Sequence, residues 1–189
     1  ILLLTGCSSA ISRYISSQQS FGYEQIASRE ILREQGFYES EFCSQKTDLC
    51  ISYLTAKPLS HKQKLSYRVE LQINGRNELN QLEIKRESTN SCSGLVVLIH
   101  GFRASKEYMV NSALYFRFLG FDVLLPDLLG HGESSSGTRF GVDDSKVINE
   151  LIEELDHPGE RILIVGNSLG AVAATQLIEL RGDIGGLVL

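Results

Sequence analysis

The stretch Arg161–Leu180, RILIVGNSLGAVAATQLIEL, decides the fold. A short apolar run ends at Gly166, a serine stands at position 168, and Gly170 opens a helical pattern of small and apolar residues. This pattern predicts a strand that turns tightly into a helix, because the two glycines remove side chains where strand and helix would collide. Such a turn exposes the Ser168 hydroxyl at the end of the strand. Ser168 is therefore a candidate nucleophile; the alternative is a helix N-cap without chemistry.

The segments before this turn alternate between strand and helix patterns. The continuous apolar run Gly94–His100 predicts a strand buried on both faces, as in a parallel sheet. Alternation around Asn74-Gly75 predicts a β-hairpin formed by Leu65–Ile73 and Leu79–Lys85. Periodicity predicts further helices and strands over Ser105–Leu119, Phe121–Pro126, Asp143–Leu155 and Gly185–Leu189. We expect an α/β fold: a mostly parallel sheet with helices on both faces and an antiparallel edge at its start.

Two more motifs lie between the hairpin and Ser168. His100-Gly101-Phe102 ends the first parallel strand, and its glycine turn frees the Phe102 N–H. Pro126–Ser134, PDLLGHGES, is a glycine-rich turn that lacks the Gly-Lys-Ser/Thr of a phosphate loop. HGF, PDLLGHGES and GNSLG, in this order, resemble the α/β-hydrolase superfamily, and within it the esterase and monoacylglycerol-lipase-like branch. The resemblance covers roughly Tyr67–Leu189 and nothing before it.

This resemblance implies a serine hydrolase. Ser168 would attack a carboxylic ester or related acyl group to form an acyl-enzyme, with the backbone N–H groups of Phe102 and Leu169 as the oxyanion hole. Neither a metal nor an organic cofactor is expected. In this family the acid and the histidine follow later strands. The resemblance therefore implies that both lie beyond Leu189, that the chain is a fragment ending before them, and that the fragment alone is inactive.

The histidines before the turn are assigned other roles. We expect His100 to be a strand-end residue held by local hydrogen bonds, and His131 to pack in a glycine-rich loop, which makes it a weaker candidate for the base. His61 and His157 lie on polar segments and are expected to be solvated. Asp127 is expected to fix its loop rather than to act as the catalytic acid.

The N-terminal sequence predicts that the protein is exported from the cytoplasm. Leu4-Thr5-Gly6-Cys7 follows an apolar run and resembles the bacterial lipobox, which implies that Cys7 carries a lipid anchor. The alternative is a buried strand that ends in a chance Gly-Cys. Ser8 after the cysteine favours the outer membrane, facing the periplasm. The expected organisation is residues 1–7 as the end of a signal peptide, 8–60 as a tether and N-terminal extension, and 61–189 as a truncated α/β-hydrolase domain.

Composition narrows the class of protein. The 189 residues are 42% hydrophobic and 22% charged, which suits one globular domain. A net charge of −5 without a Lys/Arg cluster argues against a nucleic-acid partner. Cys43, Cys50 and Cys92 lack metal-site spacing, so zinc is not expected. Whether Cys43 pairs with Cys50 stays open, and no feature indicates an oligomeric state.

Other functions share the motifs. A non-catalytic lipoprotein of this fold would bind a ligand or partner through a degenerate site, since a fold alone does not prove chemistry. An acyltransferase or peptidase would use the same serine and the same donors. The leading hypothesis takes a small acyl ester as substrate and the membrane as a partner through Cys7, while the identity of the ester is not indicated.

Overall fold

The computed structural model describes residues 9–14, 27–59, 61–86, 92–135, 137–155 and 161–189. The predicted lipobox at Cys7 and the predicted solvated His157 lie outside these residues. Residues 9–14 are helical, inside the stretch that the sequence assigns to a tether. Neither glycine nor proline interrupts them, so their backbone is compatible with a helix. No helix in the described ranges is both long and apolar enough to cross a bilayer.

The described residues contain eight strands: β1 (Phe37–Cys43), β2 (Cys50–Ala56), β3 (Lys64–Ile73), β4 (Arg76–Lys85), β5 (Leu95–Ile99), β6 (Asp122–Pro126), β7 (Ile162–Gly166) and β8 (Ile184–Val188). Six of them form one sheet in the order β1-β2-β6-β5-β7-β8. The last four in this order are parallel, whereas β1 and β2 are antiparallel. The central strand β5 is buried along its whole length, as its continuous apolar sequence predicts.

Helices cover both faces of this sheet. They are α1 (Arg29–Glu34), α2 (Val110–Leu119), α3 (Val142–Glu154) and α4 (Leu169–Leu180), and a 3-10 turn over Lys106–Met109 leads into α2. Successive residues of β5 point to opposite faces. Odd-numbered residues of β5 join a core with α3 and α4, and even-numbered ones join a core with α1 and α2. The predicted fold class, a mostly parallel sheet with helices on both faces, is confirmed.

The predicted hairpin exists, but its expected place was wrong. Strands β3 and β4 pair from Lys64↔Lys85 to Ile73↔Arg76, and Asn74 and Gly75 adopt the left-handed conformations that such a turn requires. The pair forms a separate two-stranded sheet, and most of its side chains are exposed. The hairpin therefore does not form the edge of the main sheet, and it contributes little to the core.

The antiparallel edge is formed by β1 and β2 instead. Strand β2 pairs with β6 and buries Ile51, Leu54 and Ala56, which anchors it in the sheet. Strand β1 buries little beyond Phe37 because it is the outermost strand, and its sequence consequently lacks a clear apolar alternation. The sheet therefore starts before residue 61, the predicted start of the domain.

The structure resolves the open question about the cysteines. Cys43 and Cys50 form a disulfide that joins the end of β1 to the start of β2, where the two residues are register partners. Cys92 is free and exposed. The Glu41 carboxylate lies beside the two bonded sulfurs. These sulfurs are bonded to each other, so they do not act as the thiolate ligands that a metal requires.

The placement of β2 predicts the cost of truncating one side chain. Leu54 is 1% exposed, and Leu54→Ala should lower the free energy of unfolding by about 2–5 kcal/mol, as for other core leucines. Leu79 on β4 is 72% exposed, and Leu79→Ala should change it by less than about 0.5 kcal/mol. Urea denaturation measures both. Equal effects of the two substitutions would contradict the assignment of β2 to the main sheet and of the hairpin to the surface.

Candidate active site

Ser168 lies in the tight turn between β7 and α4. Its backbone angles, φ 50° and ψ −111°, fall in a region that non-glycine residues rarely adopt, at a cost of roughly 1–3 kcal/mol. Three backbone hydrogen bonds hold the turn: Asn167 N–H to Ile99 O at 2.9 Å, Gly170 N–H to Asn167 O at 2.8 Å, and Ala171 N–H to Ser168 O at 2.9 Å. Ser168 is exposed at the end of the strand. The structure thus contains the predicted strand–turn–helix.

The two glycines of this turn leave no room for side chains. A Cβ on Gly166 would lie 2.7 Å from the Ala171 Cα, and one on Gly170 would lie 2.3 Å from the Ile99 carbonyl oxygen. Both neighbours are backbone atoms, so larger residues would push the helix off the sheet. The Ser168 side chain makes no capping hydrogen bond to α4. The observed geometry therefore does not support the alternative of a simple N-cap.

The turn that follows β5 lies directly beside Ser168. A Cβ on Gly101 would lie 3.2 Å from the Ser168 Cβ, closer than ordinary van der Waals contact, so this glycine favours the close approach of the two turns. Within the described part of the chain, the N–H groups of Phe102 and Leu169 donate to no acceptor. Two unpaired donors beside an exposed hydroxyl suit the stabilisation of a developing oxyanion. The structure brings together the three residues that the sequence singles out.

An open cleft of about 550 Å³ borders Ser168. It is lined by residues from α2 and its preceding turn, from the end of β7 and from the end of β8, among them Tyr108, Met109, Asn111, Ser112 and Val188. Both apolar and polar residues line it. This volume is within the usual range for small-molecule sites, and the cleft leads directly to the serine hydroxyl.

His100 is fully buried, and both of its ring nitrogens are engaged. Its Nε2 accepts a hydrogen bond from the Leu128 N–H at 2.9 Å, which leaves the proton on Nδ1, 2.8 Å from the Gly101 carbonyl oxygen. Burial lowers the pKa of His100 to about 3, so the ring is neutral at physiological pH. His100 therefore fastens the turn after β5 to the loop after β6. The structure gives it the structural role that the sequence indicates.

His131 is buried in the loop after β6. Its Nδ1 lies 3.1 Å from the Leu129 carbonyl oxygen, and its ring packs edge-on against the rings of His100 and Phe102 at 5.4 and 5.6 Å. His61 is exposed. None of the three described histidines forms a hydrogen bond with the Ser168 hydroxyl. The described residues do not contain a base positioned to activate Ser168.

Asp127 fixes its loop, as expected, and does so with a partner that sequence reasoning missed. Its carboxylate accepts hydrogen bonds from the Lys106 N–H at 2.6 Å, the Lys106 ammonium at 2.8 Å and the Glu133 N–H at 3.1 Å. Burial by itself lowers the pKa of Lys106, but Asp127, Glu107 and Glu39 raise it above its ordinary value, so this lysine is charged. A lysine at the start of a predicted helix is ordinarily solvated, so the sequence did not indicate that Lys106 is buried.

Comparisons with known proteins support the fold. Residues 96–189 match the alpha/beta hydrolase family. A putative esterase, YitV, from Bacillus subtilis is 32% identical over 106 residues, which cover 47% of this chain and 40% of the relative. Epoxide hydrolase 3 of Siraitia grosvenorii is 29% identical over 91 residues, which cover 47% of this chain and 29% of the relative. The chain thus spans less than half the length of both relatives.

Solved structures share the architecture. An esterase of Pyrococcus furiosus, Pf2001, superposes with a TM-score of 0.54 at 18% identity, covering 79% of this chain and 49% of the other. The Cif epoxide hydrolase of Acinetobacter nosocomialis superposes with a TM-score of 0.53 at 16% identity, covering 81% and 37%. Likeness at this identity shows the fold. The chain has the α/β-hydrolase fold, which its match to the alpha/beta hydrolase family over residues 96–189 supports.

The buried neutral state of His100 predicts a pH dependence of stability. In the unfolded chain this histidine takes up a proton near its ordinary pKa of about 6.5, whereas the folded chain takes it up near 3. The unfolded state therefore binds more protons as the pH falls, and the free energy of unfolding should drop by about 2 kcal/mol between pH 7 and pH 5 through this group alone. Urea denaturation at pH 7, 6 and 5 measures the drop. His100→Gln should flatten this slope and the exposed His61→Gln should not; an unchanged slope in His100→Gln would refute the assignment.

Proposed function

We propose that the full-length protein is a serine hydrolase that cleaves carboxylic esters or related acyl compounds through an acyl-enzyme on Ser168. The observation that carries this proposal is the exposed hydroxyl of Ser168 in a strained strand–helix turn, beside two unpaired N–H groups. The strain is maintained by close packing around Gly101, Gly166 and Gly170. Strain of this kind concentrates at functional sites, because it holds a reactive group in a position that relaxed backbone would not provide.

The proposed reaction begins with attack by the Ser168 Oγ on the acyl carbonyl carbon. The carbonyl oxygen gains negative charge, and the N–H groups of Phe102 and Leu169 stabilise it. Collapse of this intermediate expels the alcohol and leaves the acyl group on Ser168, and water then releases the acid. The base that accepts the Ser168 proton, and the acid that orients this base, are proposed to follow Leu189, as the resemblance to the family implies.

The serine favours an ester over an epoxide as the substrate. Relatives of both types are found, so the choice depends on the nucleophile of this chain. Attack by the Ser168 Oγ on an epoxide carbon would leave an ether on the enzyme, and water does not cleave an ether under mild conditions. Attack on an acyl carbonyl leaves an ester, which water hydrolyses in a second step. Only the acyl reaction regenerates Ser168.

The full-length protein and its Ser168→Ala variant test this proposal. Loss of the nucleophile should reduce hydrolysis of p-nitrophenyl butyrate by on the order of 10⁴–10⁶-fold and should abolish labelling by a fluorophosphonate probe, because both need the Oγ. The control Ser66→Ala, an exposed serine on the hairpin, should retain both. Styrene oxide should not be turned over. Unchanged ester hydrolysis in a folded Ser168→Ala protein, or Ser168-dependent opening of the epoxide, would overturn the proposal.

We also propose that the enzyme acts in the bacterial cell envelope, anchored through a lipid on Cys7 and facing the periplasm from the outer membrane. The disulfide between Cys43 and Cys50 supports this location, because such bonds persist in oxidising compartments and are rare in the cytosol. The lipobox-like Leu4-Thr5-Gly6-Cys7 supplies the second argument. Multiple acyl chains on one residue would give stable anchoring.

The anchor predicts a change of cell fraction on substitution of Cys7. Wild-type protein expressed in a Gram-negative host should sediment with the outer membrane, and mass spectrometry should find a lipid on Cys7. The variant Cys7→Ser should lose the lipid and leave that fraction, since serine cannot form the thioether. Cys92→Ser, which changes an exposed free cysteine, should not alter sedimentation. Equal sedimentation of wild type and Cys7→Ser, with unmodified Cys7, would contradict the anchor.

A further inference from the structure

A buried charge cluster lies behind the turn that carries Phe102. Lys106 is 1% exposed, although lysines are almost never fully buried unless they are paired. Its ammonium lies 2.8 Å from Asp127, 3.1 Å from Glu39, 3.1 Å from Glu133 and 3.5 Å from Glu107. The proposed acyl-transfer steps use none of these groups. Their arrangement therefore requires a separate explanation.

Residues that follow β6 hold the turn at both of its ends. At the far end, the Lys106 backbone N–H and ammonium both donate to the Asp127 carboxylate. At the near end, the His100 Nε2 accepts from the Leu128 N–H and lies 3.7 Å from the Asp127 Oδ1. The turn from His100 to Lys106 is thus fastened at its two ends to two consecutive residues that follow β6.

The loop after β6 is closed around the same carboxylate. Gly132 has a φ of +49°, and a Cβ at this position would lie 2.2 Å from an Asp127 carboxylate oxygen. The Ser134 hydroxyl donates to the Asp127 carbonyl oxygen at 2.9 Å. These contacts leave Asp127 little freedom. Because Asp127 is fixed, the turn that is hydrogen-bonded to it is fixed as well.

We propose that Lys106 and Asp127 are positioning residues that hold the turn after β5 so that the Phe102 N–H is aimed at the oxyanion formed during attack by Ser168. This inference rests on the proposed function. Lys106 is sealed from solvent and does not line the cleft, so it acts through the turn and not on the substrate. Displacement of a reacting group by about 1 Å can cost on the order of 10²-fold in rate, and loss of one oxyanion donor costs about 10²–10³-fold.

Stability alone is a weak explanation for this pair. Replacement of a buried ion pair by apolar residues of similar size is often neutral or stabilising, because desolvation offsets the attraction of the charges. Removal of one partner is costly, since it leaves the other charge buried and unpaired. The two roles therefore make different predictions for a variant that removes both charges.

The test uses the full-length protein and four variants: Lys106→Met, Asp127→Asn, the double variant Lys106→Met/Asp127→Asn, and Lys106→Arg. The control Lys146→Met makes the same substitution at an exposed lysine paired with Asp143 on α3. For each, kcat and KM for p-nitrophenyl butyrate are measured and referred to the sites that a fluorophosphonate labels at completion. The affinity for an alkyl trifluoromethyl ketone, which forms a tetrahedral adduct bearing an oxyanion, is measured in parallel.

We expect kcat per labelled site to fall about 10–100-fold in Lys106→Met and in the double variant. KM should change by less than about 3-fold, and the affinity for the ketone should fall by a factor similar to that for kcat. Lys106→Arg should recover part of both losses because it restores the charge. Lys146→Met should match the wild type in every measurement.

Two results would overturn the proposal. The first is a double variant that keeps kcat per labelled site and ketone affinity within about 3-fold of the wild type, which would give the pair a structural role only. The double variant removes both charges of the Lys106–Asp127 pair, while Glu39 and Glu133 keep Arg29 as a partner and Glu107 keeps the Ser105 hydroxyl, so it carries the test if Lys106→Met does not fold. The second is a wild type without Ser168-dependent turnover, which would overturn the proposed function and this inference together. The first result leaves the proposed function intact, so the two failures are distinguishable.

Discussion

The close approach of α4 to the end of β5 is the constraint on which the site depends. Gly170 lies so near the Ile99 carbonyl oxygen that a Cβ would stand 2.3 Å from it, and a Cβ on Gly101 would stand 3.2 Å from the Ser168 Cβ. These contacts exist because β5 and β7 are parallel neighbours whose carboxyl ends coincide, with Ile99 opposite Gly166. A sheet of this order therefore brings a nucleophile turn and an oxyanion turn to the same edge.

Helix α1 and strands β1 and β2 contact the residues that surround the site. Strand β1 supplies Glu39 to the charge cluster at Lys106, and Arg29 at the start of α1 pairs with both Glu39 and Glu133. The loop after β6 is in turn bonded to β2, where the Cys50 N–H donates to the Ser135 hydroxyl. The disulfide closes the connection between β1 and β2. Edge strands, charge cluster and oxyanion turn form one continuous set of contacts.

The parts of the fold with strong local patterns could be predicted from the sequence, and the parts that depend on tertiary contacts could not. The apolar run of β5 and the glycines around Ser168 predict their structure from local sequence alone. Gly120 likewise ends α2, in the left-handed conformation that glycine favours. Strand β1 has no such pattern, because an edge strand needs few buried side chains. The burial of Lys106 could not be predicted from the sequence either, because it depends on four carboxylates that lie on three different segments.

The proposed function depends on transfer of the acyl group to Ser168. The most direct measurement is rapid quenching of the full-length protein during turnover of an ester whose acyl-enzyme hydrolyses slowly, such as a p-nitrophenyl carbamate, followed by peptide mass spectrometry. We expect the peptide that contains Ser168 to gain a mass equal to the acyl group, at the rate of the p-nitrophenol burst. A burst with the acyl group on another residue, or steady turnover with no adduct on any peptide, would contradict it.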